Sequence, residues 1–143
     1  MSSKKMALLM AVVLCIELSS SGIIPLSNAQ GYRALKSYHG TYLSGNQDGT
    51  LKLAHNILDW EKWKWVWIEN MDFVWVSFHG TYLSGNQDGT VKLAREPREW
   101  ERWTKVEKDG NTYWRSYHGT YLSGEMSREV TLKTVPDTWE RWV

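Results

Sequence analysis

Cysteine is all but missing from this chain, and the position of the one that occurs gives the absence its meaning. Cys15 stands inside an N-terminal apolar run, so everything downstream is free of thiols. A domain built from that remainder has neither a disulfide framework nor a cysteine nucleophile. Long apolar runs are equally scarce. The one extended stretch, Met6 to Leu18, is interrupted by Glu17 and falls short of the roughly 20 apolar residues that span a bilayer. Lys4 and Lys5 before it and Ser27-Asn28-Ala29 after it give the stretch the form of a secretory leader, with cleavage expected after Ala29. Residues 1–29 are therefore read as a signal peptide. Residues 30–143 are expected outside the cell, with no membrane span once the leader is removed.

An excess of either charge is also missing. The chain carries 17 Lys and Arg against 16 Asp and Glu, and losing Lys4, Lys5 and Glu17 with the leader makes the balance even. A formally neutral domain has no bulk field with which to hold nucleic acid or an anionic membrane. Catalytic patterns are lacking too. There is no phosphate-cradling glycine loop, no Asn-x-Ser/Thr sequon, and no pair of placed carboxyls of the kind that glycoside hydrolysis requires. The expectation is a non-enzyme with no catalytic residue, no metal and no cofactor.

Aromatic rings in a repeating pattern are what the chain has in abundance. All 10 Trp, all 7 Tyr and both Phe lie at or after Tyr32, and such side chains bury enough area to close a core without staples. The segment His39-Gly40-Thr41-Tyr42-Leu43-Ser44-Gly45-Asn46-Gln47-Asp48-Gly49-Thr50 recurs unchanged from His79 to Thr90. A third copy runs from His118 to Gly124 and then diverges into Glu125-Met126-Ser127-Arg128. Downstream of each copy stands a second signature: Trp60-Glu61-Lys62-Trp63, Trp100-Glu101-Arg102-Trp103 and Trp139-Glu140-Arg141-Trp142. Both signatures keep the same offsets, so the domain consists of three copies of one unit, about 32–70, 71–110 and 111–143.

Within a unit, apolar residues alternate at period two between turn residues, which is a strand and hairpin pattern. Leu35, Trp75 and Trp114 are expected to point inward from a first strand, and Thr41 to Ser44 forms a second. Asp48-Gly49 and Asp88-Gly89 suggest two-residue primed turns into a third strand. Trp63, Trp65 and Trp67 share one face of a fourth. Four strands in each of three units give twelve. Propeller blades are excluded by number and by the missing Trp-Asp mark, and helical repeats by the dense glycine and β-branched content. The expected fold is all-β: a closed pseudo-threefold barrel capped by hairpins, the β-trefoil.

Three groups of residues are candidates for function. His39, His79 and His118 are equivalents one repeat apart. They read first as turn residues with exposed imidazoles on separate corners, then as ligand contacts, and last as a shared metal site. The Trp-Glu-x-Trp tryptophans read as core or cap before sugar platforms. The polar hairpins Asn46-Gln47-Asp48 and Asn86-Gln87-Asp88, beside Tyr42 and Tyr82, combine amides and carboxylates with a ring face, the mixture that saccharide hydroxyls require; the same residues also simply make turns.

The stretch Ala34-Leu35-Lys36-Ser37-Tyr38-His39-Gly40-Thr41-Tyr42-Leu43-Ser44 resembles the first hairpin of the fascin-like and hisactophilin-like β-trefoils, and the Trp-Glu-x-Trp signature resembles that family's approach to its fourth strand. The likeness covers about 32–143. It implies the trefoil fold. It also implies two kinds of partner: actin, which cytoplasmic members bind and cross-link, or glycans, since related modules accompany carbohydrate-active proteins. The Gln-x-Trp repeat of ricin-type lectins is absent. With a secretory leader in place, the expected function is a secreted, multivalent, lectin-like carbohydrate-binding module. Actin binding and an extracellular protein partner are the alternatives.

Overall fold

Period-two alternation interrupted by glycine turns builds strands and little else. The computed structural model describes residues 31–143; the leader, the expected cleavage after Ala29 and Gln30 lie outside the described residues. Among the described residues the architecture is all-β apart from three single-turn 3₁₀ segments, Asp59–Glu61, Glu99–Glu101 and Thr138–Glu140. The strands are β1 (Tyr42–Gly45), β2 (Leu51–Ala54), β3 (Lys64–Glu69), β4 (Asp72–Val76), β5 (Tyr82–Gly85), β6 (Val91–Ala94), β7 (Arg102–Lys108), β8 (Asn111–Arg115), β9 (Tyr121–Gly124) and β10 (Val130–Lys133). No helix among the described residues is long and apolar enough to cross a membrane.

Twelve strands were expected and ten form. The first segment of repeat one and the last of repeat three shrink to isolated bridges, because the ladder between them is too short to count as a strand. Ser37 bridges Trp142, and Lys36 and Val143 exchange both of their backbone hydrogen bonds. The main sheet runs β10-β9-β8-β7-β4-β5-β6 with β3 on β4, and β1-β2 stands beside it. The bridges Arg33 to Trp63, Lys36 to Tyr42 and Thr112 to Trp142 tie the two together, so the sheets close nearly into a barrel.

Its core repeats three times. Trp63, Trp103 and Trp142 are buried, and each indole Nε1–H donates to a leucine carbonyl, of Leu43, Leu83 and Leu122, at 2.9 Å in every copy. Leu35, Trp75 and Trp114 join them inside, as the repeat alignment predicts. Satisfying the indole N–H matters as much as burying the rings, since an orphaned buried donor costs about 1–3 kcal/mol. The hairpins also hold one another in a ring. Leu93 N donates to Gly49 O, Leu132 N to Gly89 O, and Leu53 N to Arg128 O. Each hairpin thus supplies an acceptor to the next, and the third returns to the first.

Two local expectations are corrected. Trp63, Trp65 and Trp67 do lie at alternate positions, but only Trp63 is fully buried; Trp65 is half-buried and Trp67 is 61% exposed. The face runs past the rim of the core, and Ile68 turns inward on the opposite face after an irregularity in register between Trp67 and Glu69. The Asp-Gly dipeptides do not make two-residue primed turns. Gly49 N donates to Asn46 O and Asn46 N to Thr50 O, so the turn spans Asn46–Gly49, with Gly49 alone at positive φ (91°) and Gly89 likewise (90°). A four-residue loop ending in a left-handed glycine follows the strand twist while leaving Asp48 in ordinary backbone.

Candidate functional site

The polar hairpins spend most of their side chains on themselves. Asp48 Oδ1 accepts from both the backbone N–H (3.0 Å) and the hydroxyl (2.6 Å) of Thr50, and Asn46 Nδ2 donates to Thr50 Oγ1 at 2.9 Å. Asp88, Asn86 and Thr90 repeat the pattern. Donation from the threonine hydroxyl, then from its backbone, holds both exposed Asp carboxyls below their ordinary value. Gln47 and Gln87 stand exposed at the tips. The tyrosines do not meet these tips. Tyr42 pairs with Ala54 at the far end of a strand whose turn-proximal pair is Gly45 and Leu51, and Tyr82 likewise pairs with Ala94. Tyr42 is half-buried, while Tyr82 is buried in a small cluster with Ile68, Val74 and Val76, where desolvation raises its phenol. Hairpin amides and tyrosine rings therefore do not form one pocket.

The histidines, by contrast, are brought to a defined place. A tight turn positions each one: Gly40 N donates to Ser37 O (3.0 Å) with φ +82°, and the Ser37 and Thr41 hydroxyls share a hydrogen bond of 2.7 Å across it. Ser77 with Thr81, and Ser116 with Thr120, close the same clasp at 2.6 Å. The imidazoles are half-buried rather than exposed, because each packs edge-on against an indole of another repeat. The ring separations are 5.1 Å for Trp60 and His79, 4.9 Å for Trp100 and His118, and 4.9 Å for Trp139 and His39. Each imidazole also meets the preceding aromatic residue edge-on, Phe78, Tyr117 or Tyr38, at 5.5–5.7 Å. Three corners result, each grouping an exposed ring and an indole around one imidazole, and each spanning a repeat boundary.

The glutamate of each Trp-Glu motif caps the turn that carries the indole. Glu61, Glu101 and Glu140 are buried, and one carboxylate oxygen of each accepts from the backbone N–H three residues earlier, of Leu58, Arg98 and Asp137, at 2.7–2.8 Å. Ser84 donates to the second oxygen of Glu101 at 2.5 Å, and Ser123 donates in the same way to Glu140. These carboxylates cap 3₁₀ turns. In Glu101 and Glu140 both oxygens carry a hydrogen bond, so each carboxylate joins its turn to the serine of an earlier strand.

Beside two of the corners the loops open into clefts. One of about 780 Å³ is lined by Ala94–Glu96 and Arg98–Glu101, and one of about 400 Å³ by Lys133–Val135 and Asp137–Glu140. The two walls are equivalent positions carrying different chemistry. Arg95, Arg98 and Glu99 charge the first, while Val135, Asp137 and Thr138 make the second mixed. The neighbouring Glu99 carboxylate raises the Tyr117 phenol, which sets the first cleft beside the aromatic corner. At the remaining corner Tyr32 approaches Phe78 (6.4 Å), and the adjoining loop carries the exposed Ile57 and Leu58.

Reading the sequence missed the rings before each His-Gly, although Tyr38, Phe78 and Tyr117 recur in every copy and carry a legible signal. It also missed the loop walls, which do not recur and carry none. Among the described residues no three His, Cys, Asp or Glu side chains converge on a metal-sized site. No family model matches the chain, and no curated protein matches it.

Proposed function

We propose that the chain is a secreted, non-catalytic β-trefoil of the fascin-like kind that binds carbohydrate in a lectin-like, multivalent way through its three repeat-boundary corners. The observation that carries this reading is the recurrence of a half-exposed indole, on a turn capped by a buried glutamate, next to an exposed aromatic ring. Trp60 and Trp100 are each 39% exposed, and Phe78, Tyr38 and Tyr117 are exposed beside the imidazoles they flank. Rigid ring faces suit the apolar face of a pyranose, and charged and polar loop walls beside them suit its hydroxyls. Three weak sites on one rigid body gain avidity on a surface that repeats its ligand. The all-β, nearly closed barrel and the ring of hairpins support the trefoil assignment.

A glycan screen followed by titration tests the reading. Binding in the millimolar range or tighter is expected, with the indole signals of Trp60, Trp100 and Trp139 perturbed and with Trp100→Ala weakening capture on a multivalent glycan surface. Clean absence of binding at millimolar sugar overturns it.

One corner favours a second reading. Tyr32, Ile57, Leu58, Trp60 and Phe78 place exposed apolar side chains around a single junction, a composition that suits an extracellular protein partner. Leu58→Lys would abolish capture of such a partner and leave sugar binding at the charged corner intact. Co-sedimentation with filaments provides the arm for actin, and sequencing the N-terminus of naturally produced protein shows whether the chain meets that partner's compartment.

A further inference from the structure

Asp-Gly pairs are places where a chain can rearrange its own backbone, and three occur here: Asp48-Gly49, Asp88-Gly89 and Asp109-Gly110. The glycine nitrogen attacks the side-chain carboxyl carbon of the aspartate before it, unhindered because glycine has no β-carbon. An N–C bond closes a five-membered succinimide, and the bond from the carboxyl carbon to its hydroxyl breaks. The amide proton and that hydroxyl leave together as water. Water then adds back to one of the two imide carbonyls, opening the ring either to aspartate or to isoaspartate, whose main chain runs through the β-carbon. Nothing is oxidised or reduced, and water is the one other reactant. A folded structure can oppose closure in two ways. Donors that hold the carboxyl ionised keep it from presenting a hydroxyl leaving group, and an acceptor on the glycine N–H holds the attacking nitrogen in place.

Two of the three pairs are opposed in both ways. Asp48 Oδ1 accepts from the Thr50 hydroxyl at 2.6 Å and from its backbone N–H at 3.0 Å, and this donation holds the carboxyl below its ordinary value. Gly49 N donates to Asn46 O at 3.1 Å, and Gly49 O accepts from Leu93 N at 2.9 Å, so the glycine is fixed at both of its peptides. Asp88-Gly89 repeats these contacts, with Thr90, Asn86 and Leu132 as partners. Asp109-Gly110 has none of them. It is the exposed turn between β7 and β8, where the last strand pair is Lys108 with Asn111. Among the described residues no hydrogen bond reaches the Asp109 carboxylate or the Gly110 N–H; Asn111 Nδ2 meets the Asp109 backbone carbonyl alone, at 3.4 Å. Asp109 also holds a left-handed backbone, φ 53°, which a β-carbon resists. We propose that Asp109 is a modification site, converting spontaneously to isoaspartate in the folded protein, while Asp48 and Asp88 are protected by their threonines and by the hairpin ring. The inference is independent of what the corners bind.

Storage of the folded protein near neutral pH for several weeks, followed by peptide mapping, tests the site. Isoaspartate is recognised as a peptide of unchanged mass that resists an aspartate-directed endoproteinase, and in isotopically labelled water by the heavy oxygen that ring opening introduces. The expected result is isoaspartate at Asp109, forming at least about tenfold faster than at Asp48 or Asp88, the worth of one charge-assisted hydrogen bond. In strong denaturant the three sites should converge to similar rates, because the contacts that distinguish them are gone. Absence of isoaspartate at Asp109 in the folded protein, or equal rates at the three sites, would overturn the proposal. So would a preference for Asp109 that survives unchanged in denaturant, because neighbouring sequence and not the fold would then set it.

Discussion

Arg128 is the residue that most plainly departs from its copies. It occupies the position of Gly49 and Gly89 and holds the same left-handed backbone, with φ +75° against 91° and 90°. Its carbonyl accepts from Leu53 as theirs accept from Leu93 and Leu132, so the hairpin ring imposes a conformation that a β-carbon resists. Arg128→Gly is expected to stabilise the protein by about 1 kcal/mol, read as a higher urea midpoint at unchanged slope. A lower midpoint would mean that the arginine side chain contributes more than its backbone costs. Tyr82 yields a pH prediction. Burial raises its phenol above the ordinary value of about 10, so its contribution is complete below that pH and is lost as pH climbs through the folded-state value. Stability should fall at alkaline pH, and Tyr82→Phe should flatten that part of the curve; an identical alkaline slope in the variant would show that other groups set it.

At the scale of elements, glycine is where the strands depend on their neighbours. A β-carbon on Gly85 would sit 3.1 Å from both Ser116 Cβ and Trp103 Cη2 and 3.3 Å from Leu132 Cδ1, while Gly45 and Gly124 face their own tryptophan and the leucine of another hairpin. Trp103 cannot retreat, because its indole N–H is held by Leu83 O. Gly85→Ala should therefore cost about 1–3 kcal/mol by overpacking, measured by denaturant unfolding, and a neutral result would show that the ring has room to shift. These contacts also explain what could be read in advance. Exact duplication of His39–Thr50 exposes the repeat, and alternation exposes the strands. Bridging of Ser37 to Trp142 depends on segments more than 100 residues apart in sequence, so no local pattern announces it. The same limit hid the corners. Trp139 meets His39 only after the barrel nearly closes, and the hairpin tips looked like better sites because their own threonines, which absorb the amides and carboxylates, carry no warning in composition. The tight primed turn forms at Asp109-Gly110, where both residues have positive φ (53° and 78°), and not at Asp48-Gly49, where only the glycine does.

Taken as one molecule, the protein is a cycle of dependencies more than a stack of repeats. Hairpin one accepts a hydrogen bond from hairpin two, two from three, and three from one, and the indole–imidazole corners cross the same boundaries. In an open array an end repeat can fray without disturbing the far end, because each unit touches only its neighbours. In a cycle no end repeat exists, so losing one hairpin strands an acceptor on one side and a donor on the other. Buried leucines at the joints, Leu53, Leu93 and Leu132, should then share one fate. Hydrogen exchange is expected to place the three leucine amides in a single class that opens with global unfolding. Leu132→Ala, a truncation worth about 2–5 kcal/mol, should lower the protection of all three by the same factor, including that of Leu53, which donates to hairpin three, and of Leu93, which donates to hairpin one. Persistent protection at Leu93 while Leu132 and Leu53 exchange freely would show that the repeats open one at a time and that the hairpin ring does not couple them.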